Sequence, residues 1–124
     1  MPAWLPPTAA DQPSVTLTSW AAFEVQVPGL DAPTIHVAGY AEWEGSGRVT
    51  SPLKSVDAQR RSVVTSSGRV YRLQGGPGLS GDAEYVWRRW LRLWNATELS
   101  DATSALVEQF TAASSAGGEP PGER

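Results

Sequence analysis

Residues 73–95, LQGGPGLSGDAEYVWRRWLRLWN, divide the chain into two regimes. The run Gly75-Gly76-Pro77-Gly78 cannot continue a strand or begin a helix without interruption, so it is a break. Beyond it, Asp82 and Glu84 place acid where a helix N-terminus favours it, and Ser80 or Asp82 can cap the first turn. Ala83, Val86, Trp87, Trp90, Leu91 and Trp94 then recur at helical spacing. This pattern predicts a helix over 82–94, stopped by Asn95, a residue that tolerates the left-handed conformation.

Upstream the period changes from 3.6 to 2. SVTLTSW and AAFEVQV (14–27) are rich in β-branched and aromatic residues and predict one long bent strand or two short ones. TIHVAGYAEWE (34–44) alternates: Ile35, Val37, Gly39, Ala41 and Trp43 face one way, His36, Ala38, Tyr40, Glu42 and Glu44 the other. RVTSPLKSVD (48–57) is a weaker strand, and Pro52 makes it an edge, bulged or broken. SVVTSSGRVYRLQG (62–75) reads as a hairpin turning at Ser67-Gly68.

Downstream, Ser100 is placed to cap a second helix over about 101–113, with Leu106, Val107 and Phe110 as its apolar stripe. Strands first and helices last, without βαβ alternation, give the α+β class. The expected form is a curved antiparallel sheet or small SH3-like barrel of five to six strands followed by two helices. Residues 1–13, with four prolines, read as an extended arm, and 114–124 as a low-complexity disordered tail, leaving a single domain over 14–113.

Composition narrows the chemistry. The chain has 124 residues and no cysteine, which removes thiolate nucleophiles, disulfides and cysteine-ligated metals. No apolar run approaches a membrane span. MPAWLPPTAADQP lacks the basic start and apolar stretch of a secretory signal, so cytoplasmic residence is expected and the Asn95-Ala96-Thr97 sequon carries no meaning. The net charge of −3 conceals a split. Residues 48–92 hold nine of the ten basic residues against three acids, and the acids dominate elsewhere. Arginine outnumbers lysine nine to one, and its fork suits carboxylate or phosphate.

No catalytic constellation stands out. His36 shares a predicted strand face with Glu42, a pairing able to do general acid/base work, although an exposed histidine on a solvated strand face explains it as well. Glu42 and Glu44 alone make a poor cation site. The glycine-rich 73–82 lacks the Lys-Ser/Thr of a phosphate-binding P-loop. Trp87, Trp90 and Trp94 fall on one helix face and are expected to cover the sheet. Arg88, Arg89 and Arg92 lie off that stripe, where Arg88 can pair with Glu84. Together with Arg60, Arg61, Arg69 and Arg72 of the hairpin region they are the candidate partner-binding residues. Trp4, in the proline-rich arm, is the tryptophan most exposed to a partner.

TSPLKSVDAQRRSVVTSSGRVYRL (50–73) and AEYVWRRW (83–90) resemble a loose group of small bacterial and phage proteins. That group shares a Thr-Ser-x-Val/Leu strand, a Thr-x-Ser-Gly-Arg-x-Tyr-x-Leu hairpin and a Trp-bearing helix. The resemblance implies a fold and a mobile-element context, and no reaction or cofactor. The leading expectation is a non-enzymatic interaction protein that binds a host protein or nucleoprotein complex, in its concrete form an anti-CRISPR or other anti-defence inhibitor. The alternatives are a nucleic-acid binder using the arginine-rich hairpin and helix face, and a small enzyme using His36 and Glu42. A homodimer through a strand edge or the tryptophan face fits all three.

Overall fold

One long strand carries the rest of the domain. In the computed structural model, which describes residues 13–117, β1 (Ser14–Gln26) is followed by β2 (Thr34–Ala41), β3 (Ser46–Val49), β4 (Leu53–Asp57), β5 (Ser62–Thr65) and β6 (Val70–Leu73). Then come α1 (Gly81–Trp94), β7 (Thr97–Asp101) and α2 (Thr103–Gly117). The strand order is β3-β2-β1-β6-β5-β4, with β7 added on β1. β2 pairs with one edge of β1. The other edge is shared: β6 takes Ser14 to Leu17 in parallel, and β7 takes Phe23 to Gln26 antiparallel. The remaining pairs are antiparallel.

The α+β class is as the sequence predicts, in its curved-sheet form. The sheet curls until the Arg48 guanidinium of β3 lies 5.6 Å over the Tyr71 ring of β6, yet β3 and β4 do not pair and the sheet stays open. Among the described residues it has seven strands rather than five or six. Pro52 breaks 48–57 into β3 and β4, and β7 forms where a loop and a helix start were expected. Ser100 therefore lies in β7 and caps nothing. The Asp101 carboxylate accepts the Thr103 N–H instead, and α2 runs to Gly117, past the expected end near 113.

Residues 14–26 form one strand because a bulge re-aims it. Ser19 has φ 46°, and Ser19 and Trp20 together oppose Gly39. A Cβ on Gly39 would lie 3.1 Å from the Cβ atoms of both Leu17 and Trp20, so only glycine fits opposite the bulge without a shift. Alternation then sends β1 side chains to two cores. Val15, Leu17, Trp20 and Ala22 join Val37, Val63, Tyr71 and Leu73 beneath Leu106 and Phe110 of α2. Ala21, Phe23 and Val25 join Ala38 beneath Trp87 of α1. The two helices thus cover opposite faces of β1.

α1 has the ends its sequence predicts. The Ser80 hydroxyl accepts the Ala83 N–H, a cap worth about 1 kcal/mol. Asn95 ends the helix at φ 51°, ψ 38°. The connector before it is pinned at Gly75, whose carbonyl accepts from the Trp20 indole at 3.3 Å and from the Arg61 guanidinium at 2.8 Å.

Candidate functional site

α1 lays its aromatic stripe along β2 and β3 and then outruns them. Phe23 stacks on Trp87 with ring centroids 4.8 Å apart, Trp87 on Trp90 at 5.3 Å, and Trp90 leans on Trp94 at 6.3 Å. Burial falls along this ladder. Phe23 and Trp87 are buried, Trp90 is half-buried, and Trp94 is 57 % exposed beside Leu93 at 72 %. The Trp87 indole donates to Glu98 of β7 at 3.0 Å, which fixes the ladder's base. The expectation that all three tryptophans cover the sheet therefore holds for Trp87, in part for Trp90, and not for Trp94.

The arginines of this helix are where its period puts them. Arg88 is bound at 3.0 Å to Glu84 one turn earlier. Arg89 and Arg92 are exposed, and among the described residues neither is joined to a carboxylate by an ion pair. The exposed end of α1 thus presents Leu93 and Trp94 with two uncommitted guanidinium groups nearby on the same helix. Leu99 of the next element is half exposed.

The hairpin arginines belong to a different part of the molecule. β5 and β6 lie beyond β1 from β2 and β3, against which α1 packs. Arg60 is exposed and 3.6 Å from Asp57. Arg61 is held at Gly75 and lies 4.9 Å over the Phe110 ring. Arg72 is exposed on β6, whereas Arg69 is buried at the hairpin tip. Two basic regions result, not one continuous surface. Trp4 lies outside the described residues, as do the rest of the arm to Gln12 and the tail from Gly118.

His36 is not on a solvated face. It is 2 % exposed, with its ring 4.6 Å from that of Trp90. Nδ1 is 2.8 Å from the Thr50 carbonyl, which only accepts, so Nδ1 carries the proton. Nε2, 2.8 Å from Thr34 Oγ1, then accepts from that hydroxyl. Burial lowers its pKa below the ordinary 6.5, and the Thr50 carbonyl offsets this in part. Sequence alternation put His36 opposite the Val37 face correctly. It missed that α1 covers this second face. Glu42 lies exposed in the turn just after β2, where it accepts a 3.3 Å hydrogen bond from Thr18. Both His36 nitrogens are engaged, and neither is bonded to Glu42.

Sequence reasoning also missed Trp43, which is 96 % exposed in the turn after β2. Strand alternation carried it past Ala41, where the strand ends, and Gly45 at φ 70° marks that turn. Among the described residues there is no group of His, Asp and Glu side chains able to hold a metal ion, and no helix long and apolar enough to cross a membrane. Comparison with protein families, with curated proteins and with solved structures finds no match to this chain.

Proposed function

We propose that the chain is a non-enzymatic interaction protein that docks a partner protein on the exposed end of α1. The observation that carries this reading is the aromatic ladder that climbs from the buried Phe23–Trp87 pair to the exposed Trp94. An exposed tryptophan that leans on a stacked, fixed base loses little freedom on binding, and Trp and Arg are the residues that dominate interface energies. Arg89 and Arg92 select a partner whose apolar patch is bordered by acidic groups. The anti-defence form of the reading rests on the resemblance of 50–73 and 83–90, and it decides which host nucleoprotein complexes are tested first.

Surface binding to purified complexes of that kind, by the unaltered chain, Trp94→Ser and Leu93→Ser, tests the proposal. The expected result is saturable binding that weakens at least tenfold in each variant while their thermal unfolding stays within a few degrees of the parent. Equal binding by parent and variants removes α1 as the docking surface. The nucleic-acid reading has less support, because the two arginine groups are split across the sheet and Arg69 is buried. Binding that falls steeply with salt and persists in Trp94→Ser would favour it.

A further inference from the structure

The turn between β4 and β5 returns the chain beside the end of β6, and the two enclose a cleft of about 560 Å³. Gln59, Arg60, Arg61, Arg72, Gln74 and Gly75 line it, together with Ser62 and Leu73. Three arginines and two glutamines therefore border one concavity, and among the described residues no Asp or Glu belongs to its lining. Volumes of this size suit a small ligand.

Arg61 is the residue around which the cleft is built. It stands at φ 52°, a left-handed conformation that non-glycine residues rarely adopt and that the surroundings must impose. They impose it from three directions. The Arg61 carbonyl accepts the Leu73 N–H at 2.8 Å, its guanidinium donates to the Gly75 carbonyl at 2.8 Å, and the same group lies 4.9 Å over the Phe110 ring. The bond to Gly75 uses one of five guanidinium N–H groups, which leaves donors for another acceptor. Arg60 is only loosely held, with its side chain 82 % exposed and 3.6 Å from Asp57. Arg72 has no ion pair to a described carboxylate. One fixed and two adjustable forks, carried by residues that line one concavity, match the oxygens of a phosphate group.

We propose that this cleft binds the phosphate of a small phosphorylated molecule, of about the size of a mononucleotide. Arg61 supplies the preset donor, and Arg60 and Arg72 close on the remaining oxygens. The site is independent of the docking surface on α1, because it lies on the β4–β5 turn, the start of β5 and the end of β6 and uses none of the same residues.

Isothermal titration with pyrophosphate and with ADP, at moderate salt, tests the proposal on the full chain. Saturable binding of both is expected, weakened at least tenfold in Arg72→Gln and in Arg60→Gln. These exposed side chains can be exchanged without disturbing the Arg61 contacts. Arg89→Gln, on α1, should bind like the parent. A single-stranded oligonucleotide distinguishes the other source of phosphate. Binding of the oligonucleotide without saturable binding of ADP or pyrophosphate would overturn the proposal. So would binding of the small anions that Arg89→Gln weakens as much as Arg72→Gln, or no binding at millimolar concentrations.

Discussion

His36 couples the core to pH. Its neutral form is satisfied on both nitrogens by neutral groups, Thr50 and Thr34, under the Trp90 ring. Burial lowers its folded-state pKa, so below about pH 6.5 the unfolded chain binds a proton that the folded chain resists. The stabilisation is complete above that pH and is lost as pH falls from 6.5 toward the lowered folded value. Urea unfolding between pH 8 and 5.5 is therefore expected to show stability dropping across the acid half of the range. His36→Gln, which does not titrate, should flatten that slope even though it lowers stability overall. An unchanged slope in the variant would place the titration elsewhere.

At the scale of elements, the seat of α1 depends on one glycine. A Cβ on Gly47 of β3 would lie 2.5 Å from the Asp82 carbonyl oxygen and 2.8 Å from its carbon, both backbone atoms of the first helical turn. Gly47→Ala is expected to push α1 off β3 and cost on the order of 1–3 kcal/mol, the range for overpacking a tight contact. Chemical denaturation measures this, and a loss below 0.5 kcal/mol would mean the turn yields freely. Elements with their own local chemistry were legible in the sequence. Ser80, Asn95 and the tryptophan period define α1 to within a residue, and Ser67-Gly68 defines the β5–β6 hairpin. β7 was not legible, because every residue of TELSD lies exposed and the segment has no apolar alternation; it is a strand only because β1 offers an edge there. The exposed end of α1 was hidden for a related reason. Helical period tells which face Trp94 shares with Trp87, but not that the sheet beneath ends before Trp94 is reached.

At the scale of the molecule, β1 joins two cores that share no side chain. Trp20 and Ala22 point to α2, while Ala21, Phe23 and Val25 point to α1. The covalent strand and its ladder make them one folding unit, since α2 packs on β1 itself and α1 packs on β2 and β3, which the ladder ties to β1. Phe110→Leu removes the edge contact with Trp20, whose ring centroid is 6.0 Å away, and the surface under Arg61. Trp87→Phe thins the stack between Phe23 and Trp90 and deletes the bond to Glu98. Each is expected to cost about 1–2 kcal/mol, as moderate losses of packed volume do. Because the sites lie on opposite faces and share no partner, the double variant should lose their sum to within about 0.5 kcal/mol. Unfolding should nevertheless remain a single transition by both tryptophan fluorescence and circular dichroism, as one cooperative unit requires. Two separated transitions would show that the faces fold independently, and β1 would then be a tether between two cores rather than their common wall.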